Sequence, residues 1–224
     1  MSNDDTQRVR DYFSRSAVSF DSLYAEQEMN GFWRWVNRRF RRDVYERFVR
    51  TMDHVRANDI GSVLDVGCGS GRYAIAFHEN GVRRVTGIDI APDMIELFRA
   101  HTEPLAGQGT EFEAVVGDFM AFEPSEPFDL VVAMGFFDYV EDPEPVLAKM
   151  RSLARHSVIA SFPSISFYRT PIRKVRYAIK RCPVYFYERE RVEQLARDVG
   201  FPRFVVNKVH GAGMDYVATL AVTP

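Results

Sequence analysis

The sequence predicts an α/β fold in which a single sheet carries helices on both of its faces. A short apolar run leads directly into a glycine-rich turn at 67–71, and a helical stretch follows. Apolar runs and helical stretches then alternate up to residue 155, which is typical of parallel strands joined by helices. Two final apolar runs, 203–209 and 216–222, are joined by a Gly-Ala-Gly link and predict two more strands.

Composition and charge narrow the classes of function. With 224 residues, 46% of them hydrophobic, the chain is long enough for one α/β domain with a sizeable core. A formal net charge of −2 gives no global electrostatic reason to expect a nucleic acid partner. Two cysteines, Cys68 and Cys182, do not make a disulfide framework. No apolar run approaches the ~20 residues of a membrane span and no signal peptide is apparent, so we expect a cytoplasmic protein.

Two amphipathic helices are predicted before the glycine turn. Residues 7–17 form the first, with Val9 among its inward positions. In residues 31–54 an apolar side chain recurs every four positions, which predicts a long second helix. Its other faces carry seven arginines, Arg34, Arg38, Arg39, Arg41, Arg42, Arg47 and Arg50. They are either a solvated face or, because Trp33 and Trp35 lie among them, a surface for an acidic substrate or lipid; RNA is a third alternative.

The segment 62–71, Ser-Val-Leu-Asp-Val-Gly-Cys-Gly-Ser-Gly, is the strongest functional motif. A buried strand leads into it, and the helix after it ends at Gly81. Strand, glycine turn and helix form a nucleotide crevice, because glycines let the backbone approach the ligand and the helix start presents free N–H groups. The dinucleotide fingerprint is not met, since Arg72 stands at the position of its last glycine. The acid Asp65 inside the strand suits a cationic ligand group such as an ammonium.

The next two strands end at residues that suit a ligand. Strand 85–90 contains Asp89 at its end, where a carboxylate can accept hydrogen bonds from both hydroxyls of a ribose. Capping of the following helix is the alternative role of this acid. Strand 110–116 is followed by Asp118, whose side chain is placed either to bind a ligand or to form a local turn.

The remaining core elements are predicted from the same signals. Strands 128–135 and 157–162 are separated by a helix with Asp142 as its cap and a proline at its first position. A further helix over 188–199 ends at Gly200.

The glycine motif resembles motif I of the class I S-adenosylmethionine (SAM)-dependent methyltransferases, and later motifs follow in that family's order. The resemblance covers residues 58–222 and implies a Rossmann-like, seven-stranded sheet closed by an antiparallel hairpin. It implies SAM as cofactor and S-adenosylhomocysteine (SAH) as product, with motif I on the methionine part, Asp89 on the ribose and Asp118 on the adenine amino group. The cofactor-binding residues that it implies are Asp65, Gly67, Gly69, Gly71, Asp89, Ile90, Met94, Asp118, Phe119 and Met134.

A second resemblance is to the magnesium-protoporphyrin and ubiquinone-pathway O-methyltransferases. It rests on an N-terminal Val-Arg-Asp-Tyr-Phe-Ser, an Ile-Ala-Ser-Phe strand, the insertion after it and a final Asp-Tyr strand. In the porphyrin enzymes a tyrosine after the first helix lies near SAM and substrate, and Tyr24 is its match. Their His-Tyr pair after the fourth strand is Asp138-Tyr139 here, a departure from the porphyrin pattern. Tyr24, Asp138 and His210 are the candidate general bases for a hydroxyl acceptor.

Two segments are expected to cover the site. We expect residues 1–57 to form an N-terminal helical lid over a core at 58–224, and residues 164–187 to form a lid-like insertion in that core. The insertion carries six basic residues, no acidic residue and several aromatic ones. It therefore suits a flat or apolar acceptor with negative charge; an anionic membrane surface and a solvated structural segment are the alternatives.

The expected function is transfer of the SAM methyl group to a small molecule, in the first place O-methylation of an apolar or aromatic acceptor. A methyltransferase acting on RNA or protein, and a non-catalytic SAM-binding module, are the alternatives. We expect no metal site, because no cluster of His, Cys, Asp and Glu has ligand spacing. The sequence makes no prediction of the oligomeric state.

Overall fold

The fold is built on one seven-stranded mixed sheet, as the sequence predicts. The computed structural model describes residues 7–11, 42–165, 184–209 and 215–223. The strand order is β3-β2-β1-β4-β5-β7-β6, with β1 to β5 parallel and β7 antiparallel to both of its neighbours. The strands are β1 Ser62–Val66, β2 Arg84–Asp89, β3 Glu111–Val116, β4 Phe128–Ala133, β5 Ala154–Phe162, β6 Arg203–Lys208 and β7 Tyr216–Ala221.

The helices fall close to their predicted positions. Residues 7–11 are helical. The helices of the core are α1 Arg42–Ala57, α2 Arg72–Glu79, α3 Pro92–Thr102, α4 Pro143–Leu153 and α5 Arg189–Asp198. Gly81 and Gly200 follow α2 and α5 with φ of 80° and 86°, as expected for glycines that end helices. One prediction is wrong: Asp142 occupies the residue before α4, but its side chain accepts no capping hydrogen bond.

Alternate side chains of the strands pack on opposite faces of the sheet. Leu64 belongs to a core cluster that contains residues of α4 and α5, whereas Val63 belongs to a second cluster that contains residues of α1, α2 and α3. Both residues are fully buried. A parallel sheet covered on both sides produces the nearly continuous apolar runs from which the strands were predicted.

The strand order of the sheet reverses direction at β1, so the topological switch point lies at the end of this strand. From β1 the chain builds β2 and β3 on one side, and β4 and β5 lie on the other. In open α/β sheets ligands bind outside the carboxyl ends of the strands at such a point. The glycine turn after β1 and the residues after β4 therefore border one crevice.

Helix α1 is a packing helix whose amino end faces this crevice. Met52 and Val55 are buried against the sheet. Arg47 contacts Ser161 near the carboxyl end of β5, and His54 contacts Ser157 nearer its start, so α1 runs antiparallel to β5. Tyr24, the two tryptophans and most of the arginines lie outside the described residues, and the N-terminal lid over 1–57 stays a prediction.

None of the described helices is both long enough and apolar enough to span a membrane.

The tight approach of α3 to β2 yields a stability prediction. A Cβ at Gly87 would lie 2.5 Å from Phe98 Cε2 and 2.9 Å from Cys68 Sγ. Gly87→Ala should therefore lower the free energy of unfolding by roughly 1–3 kcal/mol in urea titrations. Gly117→Ala is the control, because no atom lies within 4 Å of its added Cβ. Adding Phe98→Leu should make the double variant lose less than the sum of the single losses; strict additivity would contradict the clash.

Candidate active site

The glycine turn is tied to the end of the neighbouring strand. The N–H groups of Gly67 and Cys68 both donate to the Ile88 carbonyl, at 2.8 and 3.2 Å. Gly67, Gly69 and Gly71 have φ of 71°, 52° and 81°, values that favour glycine. These contacts hold the backbone of the turn against β2 at the carboxyl end of the sheet.

Two of the three glycines are also required by their neighbours. A Cβ at Gly67 would lie 2.8 Å from Phe136 Cδ2, and one at Gly71 would lie 2.8 Å from Phe98 Cδ2. A Cβ at Gly69 would meet no atom within 4 Å. The turn is therefore closed on the sides of the two phenylalanines and open at Gly69, where a ligand can approach the backbone.

Asp89 organises the turn from the end of β2. Its Oδ2 accepts a hydrogen bond from the Gly69 N–H at 3.0 Å, and its Oδ1 accepts one from the Ala91 N–H at 2.9 Å. Burial raises the pKa of this carboxyl, and its backbone N–H donors oppose that rise. Each oxygen retains a lone pair. The carboxylate can therefore hold the turn and accept hydrogen bonds from a ligand at the same time.

Asp65 is a buried acid without a compensating partner for one of its oxygens. The residue is 2% exposed, and its buried Oδ2 accepts no hydrogen bond from the part of the chain that the structure describes. Burial, followed by repulsion from Asp89, raises the pKa of Asp65 to about 7. Since an ionised carboxylate is costly to bury alone, this position suits a cationic group that approaches from the open side of the turn.

A second part of the site lies after β3. Asp118 Oδ1 accepts a hydrogen bond from the Met120 N–H at 2.9 Å, so the local turn forms and Oδ2 is not used in it. Phe119 is only 4% exposed and contacts Phe136 edge-on, with ring centroids 6.4 Å apart. Apolar surface is offered here by Val116 and Met120, each 43% exposed, which the sequence did not single out.

The residues after β4 form the other wall. Met134 is half-buried against the core, and Gly135 has a φ of 77°. Asp138 is buried, 6% exposed, within a short 3-10 turn at Phe137–Tyr139. Its carbonyl accepts a hydrogen bond from the Tyr185 N–H at 2.9 Å.

Both ends of the insertion are anchored beside Asp138. Ser164 and Tyr187 form a β-bridge, and the Tyr187 hydroxyl donates to the Val140 carbonyl at 2.8 Å. Burial, and after it the charge of Asp138, raises the pKa of Tyr187. The insertion thus leaves and rejoins the core next to Asp138, one of the three candidate general bases.

The structure brings most of the predicted site residues together. Asp65, Asp89 and the three motif glycines form one group. Ile90 is half-buried, whereas Met94 is 2% exposed and packs against Ala91. Tyr24 and His210 lie outside the described residues. Sequence reasoning missed Phe136, because only the tertiary packing places its ring on the glycine turn.

The position of Arg47 differs from its prediction. Arg47, expected on a solvated or anion-facing surface, is 13% exposed and lies 3.3 Å from Asp215 Oδ2.

A surface depression of about 650 Å³ between α3 and β3 lies at the opposite end of the strands and is not part of the crevice. Within the described ranges no three His, Cys, Asp or Glu side chains are grouped closely enough to hold a metal ion.

Comparison with known sequences agrees with this geometry. Residues 63–157 match a family model described as a methyltransferase domain. The ubiquinone biosynthesis O-methyltransferase of Actinobacillus pleuropneumoniae is 28% identical over 136 residues, 58% of each chain. That of Neisseria meningitidis is 30% identical over 104 residues, 46% of this chain and 44% of its own. The match therefore spans less than two thirds of the length of these curated relatives.

Solved structures extend the likeness to nearly the whole fold. The magnesium protoporphyrin IX methyltransferase of Synechocystis PCC 6803 with bound SAH has a TM-score of 0.76 at 20% identity, covering 97% of this chain and 99% of that chain. The DhpI–SAH complex has a TM-score of 0.69 at 18% identity, with 98% of both chains covered. Residues 63–157 therefore match a methyltransferase domain, and the chain has the fold of these methyltransferase structures.

The buried acid yields a pH prediction for the protein without ligand. Because the native pKa of Asp65 is raised to about 7 from 3.8, the native state binds more protons than the unfolded state between these values. Stability must then fall as pH rises from about 4 to 7. Urea titrations should show wild type losing on the order of 2–4 kcal/mol relative to Asp65→Asn over this range, with no further change above it.

Asp53→Asn, a change to an exposed carboxylate on α1, is the matched control for loss of one charge. A difference between wild type and Asp65→Asn that is constant with pH would show that Asp65 stays ionised in the native state.

Proposed function

We propose that the protein transfers a methyl group from SAM to a small-molecule acceptor by means of the crevice at the ends of β1 and β4. The observation that carries this proposal is the unpartnered, buried Oδ2 of Asp65 behind a glycine turn that is open at Gly69. A cationic amino-acid group is the ligand chemistry that this carboxylate lacks. Asp89 and Asp118 extend the same crevice towards a ribose and a base.

Each of these residues has a defined task in this proposal. Asp65 attracts the ammonium of SAM, and Gly69 lets the ligand approach the backbone. Asp89 accepts hydrogen bonds from the ribose hydroxyls through lone pairs that its two backbone donors leave available. Asp118 accepts a hydrogen bond from the adenine amino group through Oδ2. Val116 and Met120 supply apolar surface beside the base.

Bound SAM supplies an electrophilic methyl group on its sulfonium, so the protein has to orient the acceptor and exclude water. Asp138 is the described candidate for taking the proton from a hydroxyl acceptor, because it lies after β4 beside the anchored ends of the insertion. Tyr24 and His210 stay candidates from sequence. Phe136 lines this wall with apolar surface, and the fully buried Phe137 supports it from behind, edge-on to Phe136 and stacked on Phe162 at 4.5 Å.

O-methylation of an aromatic acceptor is the reaction that we propose. The curated relatives are named as ubiquinone biosynthesis O-methyltransferases, and a solved neighbour is named as a magnesium protoporphyrin IX methyltransferase. The basic and aromatic composition of residues 164–187 supports a flat acceptor with negative charge. Most of this insertion lies outside the described residues, so substrate selection by it, and the alternative of contact with an anionic membrane, stay predictions.

SAH binding tests the cofactor site. Calorimetry should give a Kd for wild type tighter than about 1 mM. Asp89→Ala should weaken binding by roughly 1–3 kcal/mol, because the ribose and the turn both lose a charged acceptor. Asp129→Ala is the matched control: Asp129 also accepts backbone hydrogen bonds, from Gly61 and Ser62, but at the other end of the sheet. An equal loss in both variants, or no binding by wild type, contradicts the proposal.

Methyl transfer tests the reaction. Isotope-labelled SAM incubated with a panel of phenols and aromatic carboxylic acids should label an organic product that depends on the protein. A label that survives mild base is a methyl ether, whereas release as methanol shows a methyl ester. Asp138→Asn should reduce the labelling rate while leaving SAH affinity within about twofold of wild type, as expected for a general base. Labelling of RNA or protein in place of all the small molecules would contradict the proposed acceptor class.

A further inference from the structure

We infer that Arg47 is a positioning residue that connects helix α1 to the cofactor-binding turn through a partly buried series of contacts. The series consists of Asp215, Arg47, Ser161, Gly135 and Phe136, and is called the Arg47 series below. This inference rests on the proposed function, because its measured consequence is the affinity for SAH.

The first link is a buried ion pair between distant parts of the chain. Arg47 Nη1 lies 3.3 Å from Asp215 Oδ2, and the two side chains are only 13% and 5% exposed. Arg47 belongs to α1, whereas Asp215 directly precedes β7. Because both charges are largely removed from water, their attraction is little screened, and these two residues hold each other in place.

The second link joins the guanidinium group of Arg47 to the wall of the crevice through Ser161. The same Nη1 donates to Ser161 Oγ at 3.2 Å, and the Gly135 N–H donates to that oxygen at 2.7 Å. A serine oxygen has two lone pairs, and these two donors use both. Ser161 therefore fixes the backbone after β4 relative to the Arg47 side chain.

The third link reaches the glycine turn. Gly135, with a φ of 77°, sets the direction of the chain into Phe136. The Phe136 ring packs directly on Gly67: its Cδ2 would lie 2.8 Å from a Cβ added at that glycine. The same ring also contacts Phe119. A shift of Gly135 would thus move the ring that confines the turn and supports the residue after Asp118. Within the described part of the chain, these residues are the route by which Arg47 reaches the cofactor site.

A neighbouring arginine provides a matched control. Arg50, three residues further along α1, pairs with Glu46 at 2.8 Å on the same helix. Its side chain is 40% exposed, and such surface pairs contribute little to stability. Arg50→Met removes the same charge from the same helix without touching the Arg47 series.

The experiment compares SAH affinity with stability in the same set of full-length variants. We expect Arg47→Met to weaken SAH binding at least fivefold by calorimetry, and Arg50→Met to leave it within twofold. Arg47→Lys keeps the charge opposite Asp215 and should recover part of the loss. Ser161→Ala keeps the ion pair but removes the acceptor of Gly135, and should weaken SAH binding as well. Urea titrations establish that each variant is folded under the binding conditions.

The outcomes separate this inference from the proposed function. If wild type does not bind SAH, the proposed function fails. If wild type binds SAH and the folded Arg47→Met and Ser161→Ala variants bind it equally well, Arg47 has only a structural role and the inference is overturned. Should Arg47→Met fail to fold, Ser161→Ala decides alone: weakened binding supports the series, and unchanged binding overturns it.

Discussion

The hydrogen bonds that hold the glycine turn to the end of β2 are the constraint on which the site depends. Two N–H groups of the turn converge on the Ile88 carbonyl, and a third donates to Asp89. Because β2 is itself held between β1 and β3, the turn inherits the rigidity of the sheet. Asp89 also binds the start of α3, so one carboxylate sets both edges of the crevice.

The charge of the site follows from this arrangement. Asp65 lies inside β1, where the sheet is covered on both faces, and the negative charge of Asp89 repels its carboxylate. A buried acid and a half-buried acid at the base of an open turn are unfavourable without a cation, since burial and mutual repulsion both oppose ionisation. A positively charged ligand relieves that cost, which links the affinity of the site to the fold around it.

Helix α1 belongs to the core as well as to the entrance of the crevice. Its apolar residues complete one face of the sheet, whereas Arg47 reaches the carboxyl ends of the strands. Periodicity distinguishes the apolar face of such a helix from its polar face. It does not distinguish a solvated arginine from one that meets an acid 168 positions away in the sequence.

The sequence by itself determined the strand and helix order, the glycine turn and the acids at the ends of β1, β2 and β3, because these depend on local periodicity and backbone conformation. Even the helix at Asp142 was placed correctly, although its capping bond does not form. Only the tertiary structure decided that Phe136 confines Gly67, that Phe119 is nearly closed off and that Arg47 pairs with Asp215. These are contacts between elements far apart in the chain, and packing of the completed sheet, not any local pattern, brings them together.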